Sequence, residues 1–161
     1  MAVSNTQGTK VINLNPIKCI QINLQHSKAA TDNLNEVISR LGTDVIFIQE
    51  PYLLRNKLNR ISRKYRQFTG GLGHKRAAIV ITNRGIDAIL IKQLSEDDIV
   101  VVEITQGNLK FIAASLYLDI KSDLNNDILK IERILQFAKG KGLILALDSN
   151  SRSKVWHDVQ T

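Results

Sequence analysis

The chain has 161 residues, of which 43% are apolar and 23% are charged, and its net charge at neutral pH is +7. This length fits one domain with a sizeable core, and the composition is that of an ordinary globular protein. No apolar run approaches the roughly 18 to 20 residues that a membrane-spanning helix needs. A single cysteine, Cys19, excludes an internal disulfide framework and fits a reducing compartment.

The N-terminal segment differs in character from the rest of the chain. Residues 1–15 are polar and lack the apolar core of a secretory signal. We interpret them as a leader and residues 16–161 as the folded domain. We therefore expect an intracellular protein without a signal peptide.

The first third of the domain alternates between strand and helix patterns. Residues 17–24 alternate in polarity, which predicts a strand with Cys19 as a small buried hydrophobe. Residues 27–41 carry apolar side chains at helical spacing and stop at Gly42. Residues 44–49 are a continuous apolar run, typical of a strand covered on both faces. A strand, a helix and a strand in this order predict a parallel pair.

The strands in the middle of the chain are predicted to be antiparallel or mixed, and a helix and a further strand are predicted to follow them. A second helix is predicted from about 123 to 139, and residues 143–148 form another fully apolar strand. Residues 151–161 are interpreted as a loop that enters a short helix around Trp156. Before the second helix we predict four strands, at 77–83, 86–92, 98–106 and 109–117. Short turns join them, and the turn at Gly107 and Asn108 is a hairpin turn. The buried stripe predicted for that helix is Leu124, Ile128, Ile131, Leu135 and Ala138.

The positive charge is concentrated between Pro51 and Arg76. This segment holds eight lysines and arginines and no acidic residue, with Tyr52, Tyr65 and Phe68 interleaved. Such a concentration favours a polyanionic partner bound in a salt-dependent way, and aromatic side chains can stack on bases. The alternative is a solvated basic loop whose aromatic side chains close the core.

Polar side chains stand where the predicted apolar strands end. In open α/β architectures, ligands and catalytic groups collect at the carboxyl ends of strands. Carboxylate, amide and phenol groups without a Cys or His cluster suit Mg²⁺ and phosphate chemistry. The histidines have no acidic partner at a telling spacing, although His26 lies at the edge of this set. The residues concerned are Asn23, Glu50, Tyr117, Asp148 and Asn150.

Each of these residues also has a purely structural interpretation. Glu50 could cap a turn, and Asn23 could bond to the backbone at the strand end. Asp148 and Asn150 could form an Asx turn, and Tyr117 could close a strand. The pattern becomes specific only when the residues are taken together.

The motifs, in this order, resemble those of the endonuclease/exonuclease/phosphatase family, which includes abasic-site endonucleases, DNase I and the endonuclease domains of non-LTR retrotransposons. The resemblance covers about residues 17 to 161 and is greatest to the retrotransposon branch. It rests on the strand end at Asn23, QEP at 49–51, LY at 116–117 and LDSN at 147–150, with the details INLQHSKAAT (22–31), DVIFIQEPY (44–52), GGLGHKRAAIVI (70–81) and DSNSRSKVW (148–156).

The resemblance implies an α/β fold of the DNase I type, a two-sheet sandwich with mixed sheets and flanking helices. It implies phosphodiester hydrolysis assisted by Mg²⁺ or Mn²⁺, with Glu50 as the metal ligand and Asn23 in support. Tyr117 would steady the charged phosphorane, Asp148 would orient or activate the attacking water, and Asn150 would hold the phosphate.

The resemblance also implies a partner. In retrotransposons such a domain nicks target DNA to prime reverse transcription, so we expect double-stranded DNA as partner, a nuclear location and a reverse transcriptase further along the parent polypeptide. The residues expected to grip the duplex are Arg60, Arg63, Lys64, Arg66, Lys75 and Arg76.

The sequence departs from the family pattern in one respect. Family members end in further strands with a Ser-Asp-His-type element that completes the general base, and these 161 residues contain none; His157 and Asp158 are the nearest pairing of those types. We therefore expect a fold that lacks its last strands and exposes apolar surface, in a fragment or a decayed copy. Loss of the base would lower the rate by about 10²- to 10⁴-fold. The alternatives are a non-catalytic nucleic-acid-binding remnant and a related phosphoesterase of lipids or small esters.

Overall fold

The computed structural model of the chain describes residues 16–150. The predicted leader, the predicted helix around Trp156 and the pair His157 and Asp158 lie outside the described residues. None of the helices in the described part of the chain is long and apolar enough to span a membrane.

The first sheet contains four strands in the order β1-β2-β6-β5. Strands β1 and β2 are parallel, as predicted, and the other neighbours are antiparallel. The crossover helix α1 begins after Ser27, whose side chain accepts a hydrogen bond from the Ala30 backbone, and ends at Gly42, where φ is 59°. The elements are β1 (Cys19–Asn23), α1 (Lys28–Leu41), β2 (Val45–Gln49), β5 (Arg66–Phe68) and β6 (Ala77–Ile81).

A small two-stranded hairpin, β3 (Leu53–Leu54) and β4 (Lys57–Leu58), follows β2. It lies within the basic segment and was not predicted from the sequence. The Asn56 side chain donates a hydrogen bond to the Gly73 carbonyl (2.6 Å), so the hairpin is fastened to the glycine-rich loop that precedes β6.

The second sheet contains four strands in the order β10-β9-β8-β7. Strands β8 and β9 form the predicted hairpin at Gly107 and Asn108. Strands β9 and β10 are parallel neighbours, and a helix connects them in sequence. The strand predicted over 86–92 is shorter than expected, because a 3-10 helix, Lys92–Leu94, begins at its last predicted residue. The elements are β7 (Asp87–Leu90), β8 (Ile99–Gln106), β9 (Leu109–Tyr117), α2 (Leu124–Phe137) and β10 (Gly142–Asp148).

The two sheets face each other, and one helix covers the outer face of each. Alternate residues of β2, β6, β8 and β9 meet between the sheets, including Phe47, Ile79 and Val102. Helix α1 packs Leu34 and Ile38 on the first sheet, and α2 packs on the second. The predicted two-sheet α/β sandwich with mixed sheets and flanking helices is therefore confirmed.

The predicted buried stripe of α2 was wrong on one side. Leu124, Ile128 and Leu135 are exposed, whereas Ile134 and Ala138 contact the sheet. The observed contact line runs through Ile131, Ile134 and Ala138 and is rotated around the helix relative to the predicted one, with Lys130 beside it in ion pairs with Glu96 and Asp98. The apolar flank that remains faces away from these ion pairs.

The strands β1 and β10 are less covered than predicted. Cys19 is exposed, and so are Ile144, Leu145 and Leu147 of the strand predicted to be covered on both faces. The reason is their position: within the described residues, β1 and β10 are edge strands of their sheets. The prediction that Cys19 is buried was wrong because periodicity shows the face on which a side chain lies but not whether a neighbouring element covers that face.

Candidate functional site

The sequence-predicted site residues lie at one end of the sandwich. The register pairs Asn23 with Gln49 in the first sheet and Asp148 with Tyr117 in the second, so the ends of these four strands are level. Because each pair is parallel, its carboxyl ends lie at the same edge.

Asp148 is held from both sheets. Its Oδ2 accepts a hydrogen bond from Asn23 Nδ2 (2.6 Å), and its Oδ1 accepts one from the Asn150 backbone N–H (3.1 Å). The Asn23 Oδ1 in turn accepts from the Gln25 backbone N–H (2.8 Å). The Asn23 amide is thus fixed with its donor toward the carboxylate, which has an orienting effect on Asp148.

Tyr117 connects the second sheet to Glu50. Its hydroxyl lies close enough to the Glu50 carboxylate and the Asn150 side chain for both to act on its pKa. Burial raises the pKa of Tyr117, and interaction with the Glu50 carboxylate raises it further. The phenol is therefore protonated at neutral pH and available as a donor.

Glu50 is the most densely contacted acid of the group, and its side chain is only 17% exposed. Burial alone would raise its pKa, but hydrogen bonds from Arg76 and Tyr117 outweigh burial and hold the pKa below its ordinary value. Arg76 Nη2 lies 3.1 Å from Glu50 Oε1, and His26 Nε2 lies 3.7 Å from the same oxygen. Glu50 is therefore ionised at neutral pH.

Arg76 is part of this cluster, although sequence reasoning placed it only in the DNA-contact set. Its Nη1 forms an ion pair with Asp119, and its guanidinium lies 4.1 Å from the centre of the Tyr117 ring. The register of the folded chain explains this position: Gln49 pairs with Ala77, so Glu50 after β2 lies opposite Arg76 before β6. Asp119 lies in the loop after β9.

Gln49 is a second residue that sequence reasoning missed. It is 1% exposed and lies directly before Glu50 in the chain. Its Nε2 donates to Ser115 Oγ (3.0 Å) and to the Ala146 carbonyl (3.1 Å), while Ser115 Oγ donates to the Ile48 carbonyl (3.0 Å). These bonds join β2 of one sheet to β9 and β10 of the other beneath the site.

The backbone around the site adopts conformations that are uncommon for residues with a Cβ. Positive φ values in the left-handed region cost free energy and persist where surrounding contacts impose them. Here the contacts are backbone hydrogen bonds, such as those from His26 N–H to the Glu50 carbonyl and from Glu50 N–H to the Arg76 carbonyl, both 2.8 Å. The residues and their φ values are Gln25 (47°), His26 (54°), Glu50 (46°) and Asn150 (44°).

Three members of the predicted DNA-contact set have their cationic groups engaged within the protein. Arg60 forms a two-point ion pair with Asp32 (2.6 and 2.9 Å). Arg66 donates to backbone carbonyls in the turn after β6. Lys75 is 8% exposed, and its Nζ lies 3.3 Å from Asp97 Oδ1. These contacts hold the basic segment in place within the protein.

Arg63 and Lys64 differ from those three. Both are exposed, and Lys64 Nζ lies 5.0 Å from the centre of the half-buried Tyr65 ring. Neither has an acidic partner among the ion pairs of residues 16–150. Of the six predicted contacts, these two are exposed and have no acidic partner within residues 16–150.

The donor set determines which metal the site suits. Within residues 16–150, no group of three or more His, Cys, Asp or Glu side chains is arranged to hold a metal ion. A zinc site is therefore a poor fit. Mg²⁺ usually keeps several waters and is held by one or two carboxylates together with substrate phosphate. The ionised Glu50 carboxylate, beside amide and phenol groups, fits that pattern.

No family model and no curated protein matches the chain. Solved structures do match. The endonuclease domain of TRAS1, a telomere-specific non-LTR retrotransposon, is 28% identical with a TM-score of 0.76, over 88% of this chain and 62% of that one. TDP2 of D. rerio in complex with a single-strand DNA product is 18% identical with a TM-score of 0.61, over 85% and 62%. An endonuclease/exonuclease/phosphatase family protein from Leptotrichia buccalis is 17% identical with a TM-score of 0.55, over 84% and 67%.

The chain is thus an α/β sandwich of the DNase I-like class, with the fold of the endonuclease/exonuclease/phosphatase family. Within that class it resembles the endonuclease domain of a non-LTR retrotransposon, as its motifs predicted. The chain spans less than two thirds of the length of the TRAS1 domain.

Proposed function

We propose that this chain is a nuclease domain that hydrolyses phosphodiester bonds of DNA with the help of a divalent metal ion. One observation carries the proposal: Asn23, Asp148, Asn150, Tyr117 and Glu50, which come from both sheets, lie in one cluster at the same end of the sandwich. The 28% identity to a retrotransposon endonuclease domain supports this function over that of an unrelated phosphoesterase.

Glu50 is the residue that would hold the metal. It is ionised, it directly follows β2, and its carboxylate is held by Arg76. Mg²⁺ or Mn²⁺ bound there would offset negative charge that develops on the phosphate. Asn23 was expected to support the metal, but its contacts favour a different role, that of positioning Asp148.

Asp148 would orient the attacking water and take its proton. Both of its oxygens accept hydrogen bonds, one from each of two fixed donors, so the carboxylate cannot rotate freely. A fixed acceptor lowers the cost of placing the water in line with the phosphorus atom. The Asn23 amide keeps this carboxylate in place.

Tyr117 and Asn150 would act on the phosphate. The Tyr117 hydroxyl keeps its proton, since burial and Glu50 raise its pKa, and can donate to a non-bridging oxygen as charge increases there. The Asn150 side chain acts on the pKa of that hydroxyl and donates to the Leu118 carbonyl (3.0 Å). The two donors therefore approach the same position.

The substrate proposed is double-stranded DNA. The net charge of +7 and the exposed Arg63 and Lys64 support a polyanionic partner, for which binding weakens as salt increases. In a retrotransposon protein such a domain would cut target DNA in the nucleus ahead of reverse transcription. These 161 residues contain no Ser-Asp-His element, so we expect slow nicking.

A plasmid-nicking assay with Mg²⁺ at high protein concentration tests the proposal. We expect the wild-type chain to convert supercoiled plasmid to open circles, and Glu50→Ala and Asp148→Asn to lower the rate about 100-fold. Glu36→Ala, which removes an exposed carboxylate from α1, is the matched control and should leave the rate within about twofold. Equal background rates in wild type and Glu50→Ala, with DNA still bound by both, would instead indicate a non-catalytic binding module.

A further inference from the structure

Arg76 stands where it controls access to Glu50. Its Nη2 donates to Glu50 Oε1, the carboxylate that the proposed function assigns to the metal. We propose that Arg76 is a built-in counter-ion of Glu50, which a divalent ion must displace in order to bind. This inference rests on the proposed function only in taking Glu50 as the metal ligand.

The position of Arg76 is set by the backbone rather than by chance contact of two long side chains. The Arg76 N–H donates to the Asp97 carbonyl (2.7 Å), and the Arg76 carbonyl accepts from the Glu50 N–H (2.8 Å). The two residues therefore face each other at the ends of the paired strands β2 and β6. Their side chains are 27% and 17% exposed, so water screens the charges only in part.

The guanidinium has two further contacts that do not involve Glu50. Its Nη1 pairs with Asp119, and its plane lies against the Tyr117 ring. Asp119 is itself fixed, since its Oδ1 accepts from the Lys121 N–H (2.9 Å). When Nη2 leaves Glu50, the guanidinium therefore remains beside the site, and the released N–H can meet a phosphate oxygen.

Two cations cannot share one Glu50 oxygen without repulsion, so the presence of Arg76 lowers metal affinity. A hydrogen bond between charged groups is worth about a factor of ten or more in an equilibrium constant. Removal of Arg76 should therefore strengthen metal binding by roughly tenfold. If Arg76 merely stabilised the fold, its removal would leave metal binding unchanged or weaken it.

The test is titration with Mn²⁺ alone, in the absence of DNA, with free Mn²⁺ measured by electron paramagnetic resonance. We expect Arg76→Ala to bind Mn²⁺ about tenfold more tightly than wild type. Arg76→Lys, which keeps the charge but shortens the reach, should bind it about threefold more tightly. Arg84→Ala removes the same charge from the exposed turn at the other end of β6 and should match wild type. Thermal melting of each variant checks that it is folded.

The outcomes separate the inference from the function on which it rests. Unchanged or weaker Mn²⁺ binding in both Arg76 variants overturns the inference, whereas tighter binding confined to them supports it. Glu50→Ala tests the other half: loss of Mn²⁺ binding supports Glu50 as the ligand. Retention of binding in Glu50→Ala removes the proposed metal site, whatever Arg76 does.

Discussion

The buried side chain of Gln49 connects the two sheets directly below the site, and its replacement by methionine is the most direct test of that connection. Methionine has nearly the same length and fills the space, but it lacks the amide. Gln49→Met therefore removes the bonds to Ser115 Oγ and to the Ala146 carbonyl without opening a cavity. Nothing else in the site is changed directly.

The magnitude follows from the two bonds. Each neutral hydrogen bond contributes about 1 kcal/mol net, and a buried acceptor left without its donor adds to the loss. Ser115 Oγ keeps the Ile48 carbonyl as a partner, so the loss there is not doubled. We expect the free energy of unfolding to fall by about 2 kcal/mol, and the melting temperature by roughly 4 to 8 °C.

Urea denaturation followed by circular dichroism measures this difference. Gln21→Met is the matched control, because Gln21 also donates to a backbone carbonyl of β10, that of Leu147 (3.0 Å), but on an exposed side chain. The control should lose no more than about 0.5 kcal/mol. If both variants lose the same small amount, the connection through Gln49 does not stabilise the pairing of the sheets, and the reasoning fails.

Two further changes test the groups around Glu50. Tyr117→Phe removes the hydroxyl but keeps the ring beside Arg76, so we expect a nicking rate about 100-fold lower with a melting temperature within a few degrees of wild type; a rate equal to wild type would exclude the hydroxyl from the chemistry. Because the folded-state pKa of Glu50 is depressed, its ionisation stabilises the fold above about pH 4.3, and this stability is lost as pH falls through the lower folded pKa. Denaturation of wild type and Glu50→Gln from pH 7 to 3 should therefore show a difference at neutral pH that narrows with acid, and a constant difference would contradict the assignment.

Local sequence determined most of the elements and the alignment of the strand ends. The apolar run 44–49 predicted the covered strand β2, and Gly42 ends α1 because the left-handed conformation there suits glycine. A strand, a helix and a strand must cross over in parallel, which brings Asn23 and Glu50 to the same edge. The polar residues that end the strands were identifiable for this reason.

Only the tertiary structure decided which side chains are covered and which are paired. Periodicity predicted the face on which Cys19 lies, but the edge position of β1 left the side chain exposed, and α2 packs on the second sheet through Ile134 and Ala138 rather than along its whole predicted stripe. Charge counting grouped Lys75 with Arg63, yet one is buried against Asp97 and the other faces solvent. Arg76 became a partner of Glu50 through the antiparallel register of β2 and β6, and such pairing between distant segments depends on the whole chain rather than on either segment alone.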